Sequence, residues 1–190
     1  MASTNDFRVG AVLRMDGGEL FRIEEYEHRT PGNLRAFVQA RMRSLRSGNL
    51  KEVRFRSGEE VDLVRMEKKP FQFLYKDGDD YVFMDNETYE QVTVSPLKVG
   101  DSSLYIKESD TVDILFSEDG EVISVDVPAA VVLKIVETDP GMRGDTATGG
   151  TKPAKLETGA VVNVPLFLNE GEMVKVDTRT GAYLERVKVK

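Results

Sequence analysis

Short runs of alternating hydrophobic and polar residues fill most of this chain, and Asp-Gly pairs separate several of them. Three examples are AVLRM-DGGE-LFRIEEY, FQFLY-KDGDD-YVFM and DILF-SEDGE-VISV. An Asp-Gly pair between such runs is typical of a β-hairpin, because glycine supplies the positive φ that the turn needs. No long segment keeps an apolar period of 3.6 residues, so the pattern predicts a mainly β protein.

The cleanest alternation lies in AFVQARMRS, residues 36–44. Successive side chains of a strand point to opposite faces, so one face of this segment is small and apolar and the other is basic. The apolar face holds Ala36, Val38, Ala40 and Met42, and the basic face holds Phe37, Gln39, Arg41 and Arg43. Phe37 either packs against a neighbouring strand or stacks on a nucleic-acid base.

Two prolines mark the places where the chain divides. VRMEKKPFQ is charged and then interrupted by Pro70, and SVDVPAAVV ends a strand at Pro128. Three segments of about 60 residues result, each with its own hairpins, which favours small β-barrels in a row over one sandwich. We therefore predict domains at residues 1–65, 66–127 and 128–190. No close internal repeat is visible in the letters.

Charge is unevenly distributed along the sequence. The chain has a formal net charge of −7, which by itself disfavours a nucleic-acid partner. Residues 29–56, however, hold eight basic residues and one acid, a net charge of +7 that leaves −14 for the remainder. A basic face on an acidic body suits a phosphate backbone that is met in one orientation. The alternative is a solvated run of charges on one strand.

Few residues are available for catalysis. The chain has no cysteine, no tryptophan and one histidine, His28, so thiolate chemistry and a histidine metal cluster are excluded. GDTATGGTK, residues 144–152, has the glycines of a phosphate loop but not the G-x-x-x-x-G-K-[ST] spacing. The carboxylates of KDGDD and SEDGE lack calcium-loop spacing. We therefore predict neither enzymatic activity nor a cofactor or metal.

The amino-terminal sequence favours a cytoplasmic protein. MASTNDFRVG lacks the apolar region of a secretory signal, and no run approaches the roughly 18 apolar residues of a membrane span. We therefore expect no membrane partner.

The segment from Asp139 to Val187 closely resembles the carboxy-terminal domain of bacterial elongation factor P. YVFMDNETYEQ is similar to the middle domain of that family, and PGNLRAFVQARMRSLRSG to its amino-terminal hairpin and following strand. The resemblance covers essentially the whole chain. Residues on the family's signature spacing are Lys155, Gly159, Val164, Pro165 and Gly171.

The resemblance implies an all-β, L-shaped protein with an SH3-like, KOW-like barrel followed by two OB-type barrels. It also implies a monomer that binds the 70S ribosome beside peptidyl-tRNA, between the P and E sites, and stimulates bond formation at consecutive prolines. Prolyl-tRNA in the P site and mRNA in the E site are the further partners that it implies.

The resemblance assigns roles to three groups of residues. Phosphate contacts to tRNA or rRNA are expected from Arg29, Arg41, Arg43, Arg46, Arg54 and Arg56. The tip near the CCA end of the P-site tRNA would be Pro31, Gly32, Asn33, Leu34 and Arg35. The loop near the E-site codon and the small subunit would be Gly144, Asp145, Thr146, Ala147, Thr148, Gly149 and Gly150.

The tip departs from the family pattern at one position. Well-known branches have Pro-Gly-Lys or Pro-Gly-Arg there, with a modified basic residue, whereas this chain has Asn33, which offers no amine or guanidinium. Either the tip acts unmodified, or Arg35 carries the modification, or the chain is a specialised paralogue, or the tip is only a turn. Pro31 and Gly32 predict a type II turn with glycine at the positive-φ position.

Two other classes of function stay open at this point. A generic single-stranded RNA-binding protein would use OB-type barrels without a ribosome. A hydrolase or transferase would need carboxylates with shifted pKa values in a pocket, to which nothing in the sequence points.

Overall fold

The computed structural model describes residues 2–32, 34–140 and 150–188, and within them the strands form three sheets. The first sheet has the order β1-β6-β2-β3-β4-β5. Its strands are β1 (Ala2–Ser3), β2 (Val12–Arg14), β3 (Leu20–Arg29), β4 (Phe37–Ser44), β5 (Leu50–Arg56) and β6 (Glu60–Leu63). A short 3-10 helix, Thr4–Asp6, follows β1.

The second sheet has the order β11-β10-β7-β8-β9. Its strands are β7 (Met66–Asp77), β8 (Asp80–Asp85), β9 (Gln91–Val94), β10 (Thr111–Ser117) and β11 (Val122–Asp126). Between β9 and β10 lie the helix α1 (Pro96–Val99) and a 3-10 helix, Gly100–Leu104. No helix in the described residues is long and apolar enough to span a membrane.

The third sheet has the order β14-β13-β12-β15-β16. Its strands are β12 (Ala130–Thr138), β13 (Thr151–Leu156), β14 (Val161–Pro165), β15 (Met173–Asp177) and β16 (Tyr183–Val187). The three Asp-Gly hairpins predicted from the sequence are confirmed as β2-β3, β7-β8 and β10-β11. The mainly β prediction is confirmed with them.

Contacts between residues divide the chain into two compact units, Met1–Lys68 with Leu115–Ile123, and Lys69–Ile114 with Ser124–Lys190. In the first unit Ile123 packs with Val12, Leu20, Leu45 and Val64, so the end of the β10-β11 hairpin completes this core. This division by contacts differs in kind from the three domains read from the sequence, whose bounds stay a prediction.

A second cluster in the first unit lies beneath β3, β4 and β5. Val38, Ala40 and Met42 are fully buried there, as their alternation with polar residues predicts. Phe7 meets the ring of Phe55 edge to face at a centroid distance of 5.3 Å. These contacts hold the inner face of β4, and the opposite face of the strand is left for the arginines.

Aromatic side chains contribute to the core of the second unit at two places within the described residues. Phe73 lies between Tyr81 and Phe83, with ring centroids 5.7 and 5.4 Å away. Tyr105 follows the second 3-10 helix and is buried among Leu133, Ile135 and other side chains of the third sheet. A buried aromatic side chain removes a large apolar area from water, so Tyr105 fixes the 3-10 helix onto that sheet.

Candidate nucleic-acid interface

The tip loop, residues 30–36, connects β3 to β4. The Leu34 amide donates to the carbonyl oxygen of Pro31 over 3.1 Å, so Pro31 is the first residue of a turn and Gly32 the second. Gly32 does not adopt the left-handed conformation. The predicted type II turn is therefore wrong, because it placed proline and glycine at the second and third positions of the turn, one position later than the structure does. Leu34 is 71% exposed, and Asn33 lies outside the described residues.

Strand pairing gathers four arginines near this tip. Phe37 pairs with Arg29 on β3 and with Arg56 on β5, and residues directly opposite in an antiparallel pair share one face. The Arg54 guanidinium lies 3.5 Å from the centroid of the Phe37 ring. An open depression of about 690 Å³ at this place is lined by Phe37 with Arg35, Arg54 and Arg56. We call Arg29, Arg35, Phe37, Arg54 and Arg56 the tip cluster.

The Phe37 ring orients Arg54. A guanidinium over an aromatic face gains about 0.5 to 1 kcal/mol at exposed sites, and the stacked geometry leaves its N–H edge free to bind an anion. Arg54 covers the Phe37 ring, so the guanidinium already occupies one face of that ring. The contact with Arg54 on β5 agrees with the packing of Phe37 against a neighbouring strand, and the stacking of Phe37 on a base stays a prediction.

Arg29 is held differently from the other arginines of the tip cluster. Its Nε and Nη2 donate to one carboxylate oxygen of Glu27, over 3.0 and 2.9 Å. Both side chains are more than half exposed, so the pair contributes little to stability. It does lower the net positive charge that Arg29 offers to a partner.

Farther along β4, acids interrupt the basic face. Arg41 is paired with Glu25 on β3 and with Glu52 on β5, so a carboxylate lies on each side of it. Arg43 donates through Nε to Glu24 over 3.2 Å and through Nη1 to the carbonyl oxygen of Gly48 over 3.0 Å. Acidic residues therefore interrupt the basic face predicted from the run of charges, and the most cationic part of that face is the tip cluster.

Arg46 lies outside this cluster. It follows β4 in the turn toward β5 and is exposed. The eight residues of β4 separate it from the tip loop, and at about 3.4 Å per residue this is more than 20 Å. The six arginines assigned from the sequence thus fall into a tip group, a compensated middle and a distant turn.

Of the predicted loop Gly144–Gly150, residues 144–149 lie outside the described part of the chain, and Gly150 is exposed. The sequence reasoning missed a residue beside it. Lys152 is only 6% exposed, and its Nζ donates to the carbonyl oxygen of Asp139. The available signal was the spacing of two residues from Lys152 to Ala154 and Leu156, which places all three on the inner face of β13. We call the Lys152–Asp139 hydrogen bond the loop clasp.

Comparison with protein families gives three matches in succession along the chain. Residues 3–61 match the elongation factor P KOW-like domain, residues 66–125 its OB domain, and residues 131–186 the elongation factor P carboxy-terminal domain. Elongation factor P of Chloroherpeton thalassium is 49% identical over 188 residues, covering 99% of this chain and 100% of the relative. The chain belongs to the elongation factor P family.

Other relatives agree with this membership. Elongation factor P of Synechocystis sp. is 52% identical over 186 residues and covers 98% of both chains. The solved structure of eukaryotic translation initiation factor 5A from Methanococcus jannaschii has a similar fold, with a TM-score of 0.53 at 18% identity over 65% of this chain and 92% of that one. The resemblance and the all-β fold class with KOW-like and OB domains are confirmed, and the chain is a translation elongation factor by family.

Proposed function

We propose that this member of the elongation factor P family binds the 70S ribosome beside peptidyl-tRNA, between the P and E sites, and stimulates peptide bond formation at consecutive prolines. Family membership over the full length supports the class of function. The observation that supports a specific binding surface is the tip cluster, where four arginines converge next to an exposed turn. The site of action is the cytoplasm, and the factor acts as a monomer.

The proposed mechanism is positional. Proline fixes φ near −65° and lacks an amide hydrogen, so a growing chain that ends in prolines rarely reaches the reactive geometry. A protein that holds the peptidyl-tRNA still lowers the entropic part of the barrier without supplying a catalytic group. Each 1.36 kcal/mol of barrier removed this way accelerates the step about ten-fold. No enzymatic residue or cofactor is needed for that role.

The arginines contribute unequally to tRNA binding in this proposal. Arg35, Arg54 and Arg56 make the strong phosphate contacts, and Arg29 assists after it exchanges Glu27 for a phosphate. Arg41, Arg43 and Arg46 line the same route toward the acceptor arm but contribute less, because carboxylates or distance separate them from the tip. Phosphate contacts fix the register of the complex and read no sequence. The Gly144–Gly150 loop approaches the E-site codon and its mRNA.

The tip works without a modified side chain in this proposal. Asn33 has no amine or guanidinium for attachment, and the turn from Pro31 to Leu34 is closed by a backbone hydrogen bond. Arg35 is the alternative position for a modification. Its side chain is exposed and makes no ion pair within the described residues.

The deciding experiment measures peptide yield from a reconstituted translation reaction that reads three consecutive prolines. The reaction is run without factor, with unmodified recombinant protein and with Asn33→Ala, and a template without prolines is the matched control. We expect the recombinant protein to restore yield on the proline template alone and Asn33→Ala to reduce that effect. Equal yields with and without factor, together with full activity of protein from its native host, would transfer the function to a modified residue such as Arg35.

OB domains favour one second candidate, a general single-stranded RNA-binding protein. Such a protein binds free RNA tightly, whereas a chain with a net charge of −7 repels RNA outside a shaped site. A filter-binding titration with free RNA separates the two functions, and tight binding would favour the second.

A further inference from the structure

Two loops of the second unit share one hydrogen-bond pattern. In residues 85–90, the Asp85 carboxylate accepts from the amides of Glu87 and Thr88, over 2.7 and 3.2 Å. The amide of Tyr89 then donates to the Asp85 carbonyl oxygen over 3.0 Å. We call this segment the Tyr89 loop.

Residues 177–182 repeat each of these bonds. The Asp177 carboxylate accepts from the amides of Arg179 and Thr180, over 2.8 and 3.0 Å. The amide of Gly181 donates to the Asp177 carbonyl oxygen over 2.9 Å. The letters Asp-x-x-Thr are too short a match to reveal this shared geometry from the sequence.

The two loops differ at their left-handed residue. Gly181 has φ 69°, which glycine adopts without strain, whereas Tyr89 has φ 62° with a full side chain. A bulky residue pays a steric cost in this region. The second loop shows that glycine is sufficient to build the turn. The tyrosine is therefore unnecessary for the local fold and disfavours it.

No packing contact of the Tyr89 side chain within the described residues offsets this steric cost. Tyr89 is 71% exposed, and within the described residues its ring and hydroxyl make no hydrogen bond or ring contact. At Gly181 an added Cβ would lie 3.2 Å from the Tyr105 hydroxyl oxygen, so that loop is closed over a neighbour. The Tyr89 loop instead presents an aromatic ring to solvent.

The charges beside Tyr89 indicate the chemistry of a partner. Glu87 and Glu90 are exposed and make no ion pair within the described residues. Asp85 is occupied by the backbone amides, and Lys69 lies close enough to lower the pKa of its carboxyl group further. Two exposed carboxylates that make no ion pair within the described residues therefore lie within two positions of Tyr89 in the sequence. They repel phosphate and attract a guanidinium or ammonium group, which also binds an aromatic face.

We propose that Tyr89, with Glu87 and Glu90, forms a binding site for an arginine or lysine side chain of a basic protein partner. The aromatic face receives the cation, and the carboxylates steer it and accept its hydrogen bonds. This site belongs to the second compact unit, whereas the tip cluster belongs to the first, and the two sites have opposite charge. It does not depend on the proposed function.

The test is a titration of the full-length ¹⁵N-labelled chain with a twelve-residue peptide of alternating arginine and serine, observed by amide chemical shifts. We expect residues 85–91 to shift in a saturable way, while residues 177–182 serve as an internal reference. Tyr89→Gly should raise the Kd about two- to five-fold, as expected for loss of an exposed cation–π contact, and Tyr89→Phe should leave it unchanged. Glu87→Gln combined with Glu90→Gln should weaken binding and flatten its dependence on salt.

Two controls make each outcome decisive. Thermal unfolding checks that Tyr89→Gly melts no lower than the native chain, since glycine suits the left-handed position. A twelve-nucleotide uridine oligomer should leave the Tyr89 loop unmoved. The proposal is overturned if the arginine peptide fails to shift the loop at millimolar concentration, if Tyr89→Gly binds it equally well, or if the RNA shifts the loop instead.

Discussion

Replacing Arg54 by glutamine should reduce the salt dependence of ribosome binding, whereas the same change at Arg41 should leave it almost unaltered. Arg54 is stacked on Phe37 in the tip cluster and presents its N–H edge without a carboxylate opposite it on β4. Arg41 already has Glu25 and Glu52 on either side. A cation that is compensated in the free protein releases few counterions from the nucleic acid, so the two arginines differ in electrostatic effect.

The size of the effect follows from counterion release. Each phosphate neutralised contributes about 0.7 to 0.9 to the slope of log K against log salt. Loss of one contact should therefore make the slope shallower by about that amount for Arg54→Gln. Between 50 and 200 mM salt, the affinity of the native chain should fall about three-fold more than the affinity of the variant.

The assay is equilibrium binding of labelled protein to 70S ribosomes at several monovalent salt concentrations and fixed magnesium. Phe37→Leu is the matched control, because it leaves the charge of Arg54 in place and removes the ring that orients it. We expect Phe37→Leu to lower affinity at every salt concentration and to keep the native slope. A slope change for Arg41→Gln as large as that for Arg54→Gln would refute the reasoning that Glu25 and Glu52 compensate Arg41.

Two further predictions concern the 177–182 loop. Gly181→Ala should lower the free energy of unfolding by about 1 to 2 kcal/mol, because alanine is strained at φ 69° and its Cβ meets the Tyr105 hydroxyl; a urea midpoint equal to that of the native chain would contradict this. Amides of Thr180 and Arg179 lower the pKa of the Asp177 carboxyl below its ordinary value of 3.8. The stabilisation that the ionised Asp177 carboxylate provides is therefore complete above about pH 4 and disappears as the pH falls through the lowered pKa. Melting temperatures recorded from pH 7 to pH 2 should accordingly fall less in Asp177→Asn than in the native chain.

The features that the sequence predicts well are those set by neighbouring residues. The Asp-Gly hairpins need one local conformation, and the inner face of β4 follows from a period of two. Val38, Ala40 and Met42 are accordingly buried as predicted. The overall class needs no more than this, because a chain of short alternating strands without long helical periods can bury its apolar residues only in sheets.

The charge of the candidate interface could not be predicted in the same way, because it depends on strand register. The basic run begins at Arg29, and Glu25 and Glu27 lie just before it in the sequence. Folding β3 back along β4 sets these acids beside Gln39 and Arg41, and an irregularity between Ile23 and Glu25 shifts the register there. A count of charges along the chain assigns the acids of β3 and the arginines of β4 to separate segments, although the sheet places them side by side.

A shift of one residue explains the error at the tip, and one unusual backbone conformation explains why the Tyr89 loop was not predicted. The turn at the tip begins at Pro31, so glycine is not at the positive-φ position. Tyr89 takes a conformation that turn statistics reserve for glycine, and only the full set of hydrogen bonds around Asp85 reveals why the backbone accepts it. Both features depend on which backbone amide donates to which carbonyl oxygen, and the composition of the loop does not determine this pairing.

Because of the loop clasp between Lys152 and Asp139, the stability of the third sheet should depend little on the length of the segment between these two residues. Twelve residues lie between these two positions. Once the ends are joined on the barrel side, doubling that length costs only about 0.6 kcal/mol of closure entropy. Insertion of a peptide or fluorescent tag between Asp139 and Lys152 should therefore leave the melting temperature of the third sheet nearly unchanged.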